Sequence, residues 1–121
     1  MSTARRSVSD PLPADRASAL TELVGVAEGA IVSRVLASAG GGNVTLFSFD
    51  RGQGLSEHTA PFDALVQVVD GALELTIGNS EVTVRAGEVV LMPAGVPHAL
   101  VAPEPSRMLL TMLRDRFKDG A

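Results

Sequence analysis

"GEVVLMPAGVPH", residues Gly87–His98, is the stretch whose reading decides the fold. An apolar run, Val89 to Met92, follows Gly87 and is broken by Pro93, Ala94 and Gly95. A short apolar run bounded by Gly and Pro reads as a strand that ends in a turn. Gly87 and Gly95 fall where the chain must bend sharply between short strands. Pro93 falls at the turn, where its missing N–H removes no ladder bond. His98 then opens the next run, "HALVA". It is one of only two histidines in the chain.

The other, His58, lies upstream in "SEHTAPFDALVQVVDG" (Ser56–Gly71). From there "ALVQVVDGALELTI" (Ala64–Ile77) reads as a hairpin on Asp70-Gly71, a pair suited to a tight primed turn. "GNS" turns the chain again before "EVTVRA". "AIVSRVLAS" (Ala30–Ser38) and "VTLFSFD" (Val44–Asp50) flank a turn at "GGGN", and both carry β-branched residues or phenylalanine in strand-like runs. "SRMLLTML" (Ser106–Leu113) closes the series.

Ahead of the strands, "ASALTELV" puts Leu20, Leu23 and Val24 on one helical face, with Gly25 as the stop. Ser9 or Asp10 could cap a further short helix with Pro11 at its first position. The organisation expected is a mobile arm over residues 1–16, one β domain over 17–114 and a frayed tail over 115–121. Roughly eight short strands with one helix in front argue for an all-β sandwich or barrel. Periodicity alone leaves a jelly roll, an immunoglobulin-like sandwich and a Greek-key barrel open.

Composition narrows the function classes. The 121 residues suffice for one domain, and 45% are hydrophobic, enough for a packed core. Without cysteine there is no disulfide, thiolate metal site or cysteine nucleophile, which fits a reducing compartment. "MSTARRSVSDPLPADR" has no apolar run behind its arginines, and no stretch is long and apolar enough to span a membrane. A soluble cytoplasmic protein is the expectation, with no membrane partner. Net charge is −4, and the ten basic residues form no stripe. Four Phe and no Tyr or Trp leave few stacking platforms, so nucleic acid is not an expected partner.

The spacing of Gly, Pro and His points further. Gly52 is followed by five residues and His58; Ala64 is followed by six residues and Gly71. Gly87 is followed by five residues, then Pro93-Ala94-Gly95, two residues and His98. This resembles the two motifs of the cupin superfamily: Gly, five residues, His-x-His, three or four residues, Glu, six residues, Gly; then Gly, five residues, Pro-x-Gly, two residues, His. From Leu20 to Arg114 the chain is similar to small single-domain bacterial cupins carrying "EHTAPFDALV", "MPAGVPHAL" and "MLLTM"-type segments. The resemblance implies a double-stranded β-helix, a jelly roll of two facing antiparallel sheets with a short N-terminal helix.

In metal-binding cupins the two histidines of the first motif, its Glu and the last His converge on Mn, Fe, Co, Ni, Cu or Zn. Here His58 matches the first His and His98 the last, but Ala60 and Ala64 stand at the other two ligand positions. Two imidazoles fall short of a catalytic zinc set or a two-His-one-carboxylate iron set. Asp63 is a possible third ligand if a bulge in "TAPFD" re-aims it, whereas Glu57 should face away. Strand alternation puts His58, Ala60, Ala64, Val66, Val68 and His98 on the inward face and Gln67 outside. Met92, Met108, Met112 and Phe47 or Phe49 are candidates from flanking strands.

The first expectation is therefore a barrel that binds a small, mostly apolar molecule, with His58 and His98 as polar anchors and metal weak or absent. The second is a metal-dependent dioxygenase or isomerase using His58, His98 and a third ligand, with Fe, Mn, Ni or Zn. The third is a non-catalytic barrel acting through a dimer surface. Whether the chain is an enzyme stays open. A homodimer is expected, with Leu20–Leu36 taking part, because an apolar outer sheet needs covering.

Overall fold

The computed structural model describes residues 4–114; the expected tail at 115–121 lies outside them. The strands are β1 (Ala4–Ser7), β2 (Ala30–Ala39), β3 (Gly42–Phe49), β4 (Gly54–His58), β5 (Asp63–Asp70), β6 (Ala72–Ile77), β7 (Ser80–Arg85), β8 (Val89–Met92), β9 (His98–Val101) and β10 (Ser106–Leu113). A single helical turn, α1 (Leu20–Leu23), precedes β2. One sheet has six strands in the order β1-β2-β3-β10-β5-β8, and the other four in the order β4-β9-β6-β7. Apart from the parallel β1-β2 pair, all pairing is antiparallel. This is the two-sheet jelly roll that the resemblance implies.

Period-two alternation builds the core between the sheets. Val66 and Val68 of β5, Leu73 and Leu75 of β6, Val84 of β7 and Met108 of β10 are all buried and pack in one cluster. Their neighbours Gln67 and Glu74 face solvent.

The structure corrects the expected hairpin on Asp70-Gly71. β5 pairs with β10 and β8, whereas β6 pairs with β9 and β7. Asp70-Gly71 is instead the corner where the chain leaves one sheet for the other. Gly71 has φ +78°, and a Cβ there would run into the Ser106 hydroxyl and the Pro105 carbonyl. The fully buried Ser106 Oγ accepts from Ala72 N–H at 3.0 Å and has the Ala72 carbonyl 2.9 Å away. Arg107 completes the corner. Its Nη1 donates to Asp70 Oδ2 at 2.7 Å, and its Nε donates to the Val24 carbonyl at 2.9 Å. The turn residues are thus consumed by contacts to β10, which no local pattern reveals.

The N-terminal segment also departs from expectation. Within the expected arm, Ala4–Ser7 forms β1, paired in parallel with Ala30–Ser33. All four of its residues are exposed, so main-chain hydrogen bonds hold it without an apolar pattern to announce it. No helix starts at Pro11, and the expected "ASALTELV" helix shrinks to α1 because Val24 is already extended, with φ −136° and ψ 134°. Leu20, Leu23 and Val24 nevertheless act together. They cover the outer face of the six-stranded sheet against Val32, Leu46 and Leu109 as a second apolar cluster. Arg34 ties this cover down by donating to the carbonyls of Leu23 and Pro11.

The corner makes a graded prediction. Gly95 has φ +76° but nothing within 4 Å of an added Cβ, so Gly95→Ala should cost only the left-handed penalty of about 1–2 kcal/mol. Gly71→Ala adds a collision with backbone, so its loss should be clearly larger, on the order of 3 kcal/mol or more. Ser106→Ala should cost about 1–3 kcal/mol through the orphaned Ala72 groups. Urea unfolding midpoints check the ranking; equal losses at Gly71 and Gly95 would remove the corner argument.

Candidate functional site

His58 ends β4 and His98 begins β9, and the two are paired across the four-stranded sheet. Leu55 pairs with Leu100, but the register slips before His58 pairs with His98. That slip is a β-bulge at Ser56-Glu57, with three steps on β4 matched by two on β9. Without it, His58 would face away from Leu55's side of the strand. With it, both line the same pocket, and Glu57 stays exposed.

Two connections hold the histidines at this end of the barrel. Gly95 N–H donates to the Ala60 carbonyl at 2.8 Å, which ties the loop before β9 to the loop after β4. Ala94 N–H donates to Asp63 Oδ1 at 2.8 Å. Asp63 is exposed and committed to that backbone contact, so the structure does not bring it to the histidines as a third ligand. The re-aiming bulge lies at Ser56-Glu57 rather than in "TAPFD", and it turns His58 inward rather than Asp63.

The rings meet edge to face, with centroids 4.3 Å apart and planes at 74°. His58 Nδ1 lies 2.9 Å from the Ser56 carbonyl and His98 Nδ1 lies 3.2 Å from the Val96 carbonyl. Both Nδ1 atoms are therefore held by backbone, and the Nε2 atoms face each other at 3.0 Å. His98 is 7% exposed, whereas His58 sits at the solvent rim.

The pair closes one side of a cavity of about 60 Å³. Ala60, Ala64, Met92, Met108 and Met112 line it. Val66 and Val68 do not. They face inward but lie deeper, within the packed core along β5. Phe47 and Phe49 stack on each other away from the cavity, at a 6.0 Å centroid distance. Leu55, Phe62, Ala99, Leu100 and Leu110 line the pocket without having been anticipated. Leu110 had a signal, because it lies between Met108 and Met112 on the same face of β10. Leu55 had none without knowledge of the bulge.

The donor set does not fit the metal centre of metal-binding cupins. Two neighbouring ligands on one tetrahedral ion with bonds of about 2.1 Å stand about 3.4 Å apart, wider than the 3.0 Å between these nitrogens. Ala60 and Ala64 offer no donor atoms, and Asp63 is engaged elsewhere. Among the described residues, no group of three or more His, Asp or Glu side chains could hold an ion.

Burial pushes the His98 imidazole below its ordinary range, and a positive charge on His58 adds to this; the Val96 carbonyl opposes both. The neutral form is thus favoured in the folded state, and the unfolded chain binds the proton more readily. Stability from this group is complete above the unfolded value of 6.5 and is lost as the pH falls from there through the lower folded value. The urea midpoint should therefore decline between neutral pH and pH 5 more steeply in the parent than in His98→Gln. Parallel declines in the two proteins would contradict the assignment.

The sequence matches the family model of the cupin domain over residues 45–113. Among solved structures, the chain is similar to a conserved protein of unknown function from Streptococcus pyogenes, at 33% identity and a TM-score of 0.84, over 96% of this chain and 97% of that one. It is also similar to a cupin superfamily protein from Desulfitobacterium hafniense, at 27% identity and a TM-score of 0.82, over 88% of this chain and 97% of that one. A cupin 2 conserved barrel domain protein from Leptotrichia buccalis is 37% identical with a TM-score of 0.74, over 77% of this chain but 45% of that longer one. No curated protein matches the sequence. Motif spacing, two-sheet topology and these likenesses agree, and the chain belongs to the cupin family.

Proposed function

We propose that this cupin barrel binds a small, mostly apolar molecule, with His58 and His98 as its polar anchors. The observation that carries the reading is the composition of the cavity wall. Apart from the two imidazoles, the lining side chains are Ala, Leu, Met and Phe. Such a wall favours apolar surface, and the few polar atoms at one side fix orientation. The size is informative too. About 60 Å³ is less than half of the ~150 Å³ that accommodates benzene in an engineered cavity. The enclosed part therefore suits a terminal group of a few heavy atoms, with the rest of the ligand emerging past His58. The reading names binding and assigns no reaction.

Methionine methyl NMR tests it. Met92, Met108 and Met112 all line the cavity, so small apolar fragments should shift their methyl signals in the parent. Ala64→Leu fills the cavity from β5 and should abolish the response while the fold persists. Unchanged methyl shifts across a fragment panel would count against the pocket. Incubation with Fe, Mn, Ni or Zn, without a histidine tag, should leave less than stoichiometric metal. Stoichiometric metal that disappears in a His58→Ala, His98→Ala double variant would favour the metal-dependent enzyme instead.

We also propose a homodimer. Supporting this, β8 is an edge strand that carries Val89 and Leu91 at 58% and 47% exposure. Apolar residues on an open strand edge favour a second chain. Leu20, Leu23 and Val24 are already used within one chain to cover the sheet, so this edge is the better candidate contact. Light scattering at micromolar concentration should give twice the monomer mass, falling to the monomer in a Val89→Lys, Leu91→Lys variant.

A further inference from the structure

We infer that the ligand group seated against the paired Nε2 atoms of His58 and His98 is a neutral hydroxyl, so that the pocket selects an alcohol end over a carboxylate, a carbonyl or an ammonium. The inference rests on the binding reading above and names the chemistry of the bound end.

It follows from a count of hydrogens. The pair makes three close polar contacts: His58 Nδ1 to the Ser56 carbonyl at 2.9 Å, His98 Nδ1 to the Val96 carbonyl at 3.2 Å, and Nε2 to Nε2 at 3.0 Å. A carbonyl oxygen only accepts, so each Nδ1 must carry a hydrogen. The nitrogen–nitrogen contact needs one more. Two neutral imidazoles carry one ring hydrogen each. The neutral pair is therefore one hydrogen short, and two lone pairs converge on the same point. Shifting a hydrogen to one Nε2 mends that contact but sets the ring's bare Nδ1 against a carbonyl.

The shortfall defines what fits. A ligand that donates one hydrogen toward both Nε2 atoms completes the set. A carbonyl or carboxylate cannot, because neither Nδ1 hydrogen is free to turn toward it. Between the donors, charge decides. Among the described residues no Asp or Glu lines the cavity, and burying an unpaired ammonium among Ala, Leu and Met is costly. The Arg114 guanidinium lies 5.8 Å from the ring centre of Phe62, itself a wall residue, and adds a like charge near a bound cation. A hydroxyl on a short alkyl group meets both requirements, and the small cavity accommodates its carbons.

Ring-nitrogen NMR on protein carrying ¹⁵N-labelled histidine tests the inference at pH 8, where imidazoles are ordinarily neutral. Without a probe, both rings should carry hydrogen on Nδ1 and none on Nε2. Adding 1-propanol should shift both Nε2 signals together with the Met92 and Met112 methyls. Propanoate and propylammonium at the same concentration should leave the Nε2 signals in place. A ring that keeps its hydrogen on Nε2, a pair that still holds three hydrogens at pH 8, or propanoate moving Nε2 as far as propanol does would each overturn it. If propanol moves the methyls but not the nitrogens, the hydroxyl assignment falls and the apolar pocket stands. If no probe moves either, both readings fall.

Discussion

The pairing register between β4 and β9 slips by one residue between Leu55 and His58, and the chemistry of the barrel depends on that slip. A strand without it alternates its side chains strictly, so residues three apart cannot share a face. The bulge relaxes that rule once. It allows Leu55 to serve as apolar wall and His58 as polar anchor of the same pocket. The ties from Gly95 to Ala60 and from Ala94 to Asp63 then fix the opposing loop, so His98 arrives beside His58. Main-chain groups and one exposed carboxylate position the two imidazoles.

Much of this was legible in the sequence. Gly87, Pro93, Gly95 and His98 carried the fold through their resemblance to the cupin motif, whereas strand periodicity alone left three all-β architectures open. The face of each strand could also be read, since apolar alternation records which side meets the core. Depth could not. Ala64, Val66 and Val68 share a face of β5, yet Ala64 reaches the cavity and the two valines are sealed beneath it. Alternation says which way a side chain points, but not how far along the barrel the packing closes. The Asp70-Gly71 corner failed for a related reason. A hairpin and a sheet-to-sheet crossing can use the same two residues, and the deciding contacts come from Ser106 and Arg107, more than thirty residues away in sequence.

The substituted ligand positions gain a physical meaning from the geometry. Ala60 and Ala64 do more than lack donor atoms. Their methyl groups leave the space that the cavity occupies, and they place apolar surface where a metal-binding barrel would have polar ligands. The surviving histidines turn to each other instead, with their outer nitrogens held by Ser56 and Val96.

The cover on the outer face separates two units that are easily equated. The segment recognisable as a cupin domain is residues 45–113, yet Val24, Ile31 and Val32 are buried and lie before it. Arg107, inside that segment, reaches back to the Val24 carbonyl, and Leu46 is buried beneath residues that precede it. A chain cut at the recognisable boundary would open the β3 edge and bare an apolar sheet face. The segment that matches the family model is thus smaller than the packed unit, and the difference is made up by residues that cover the sheet rather than line the pocket.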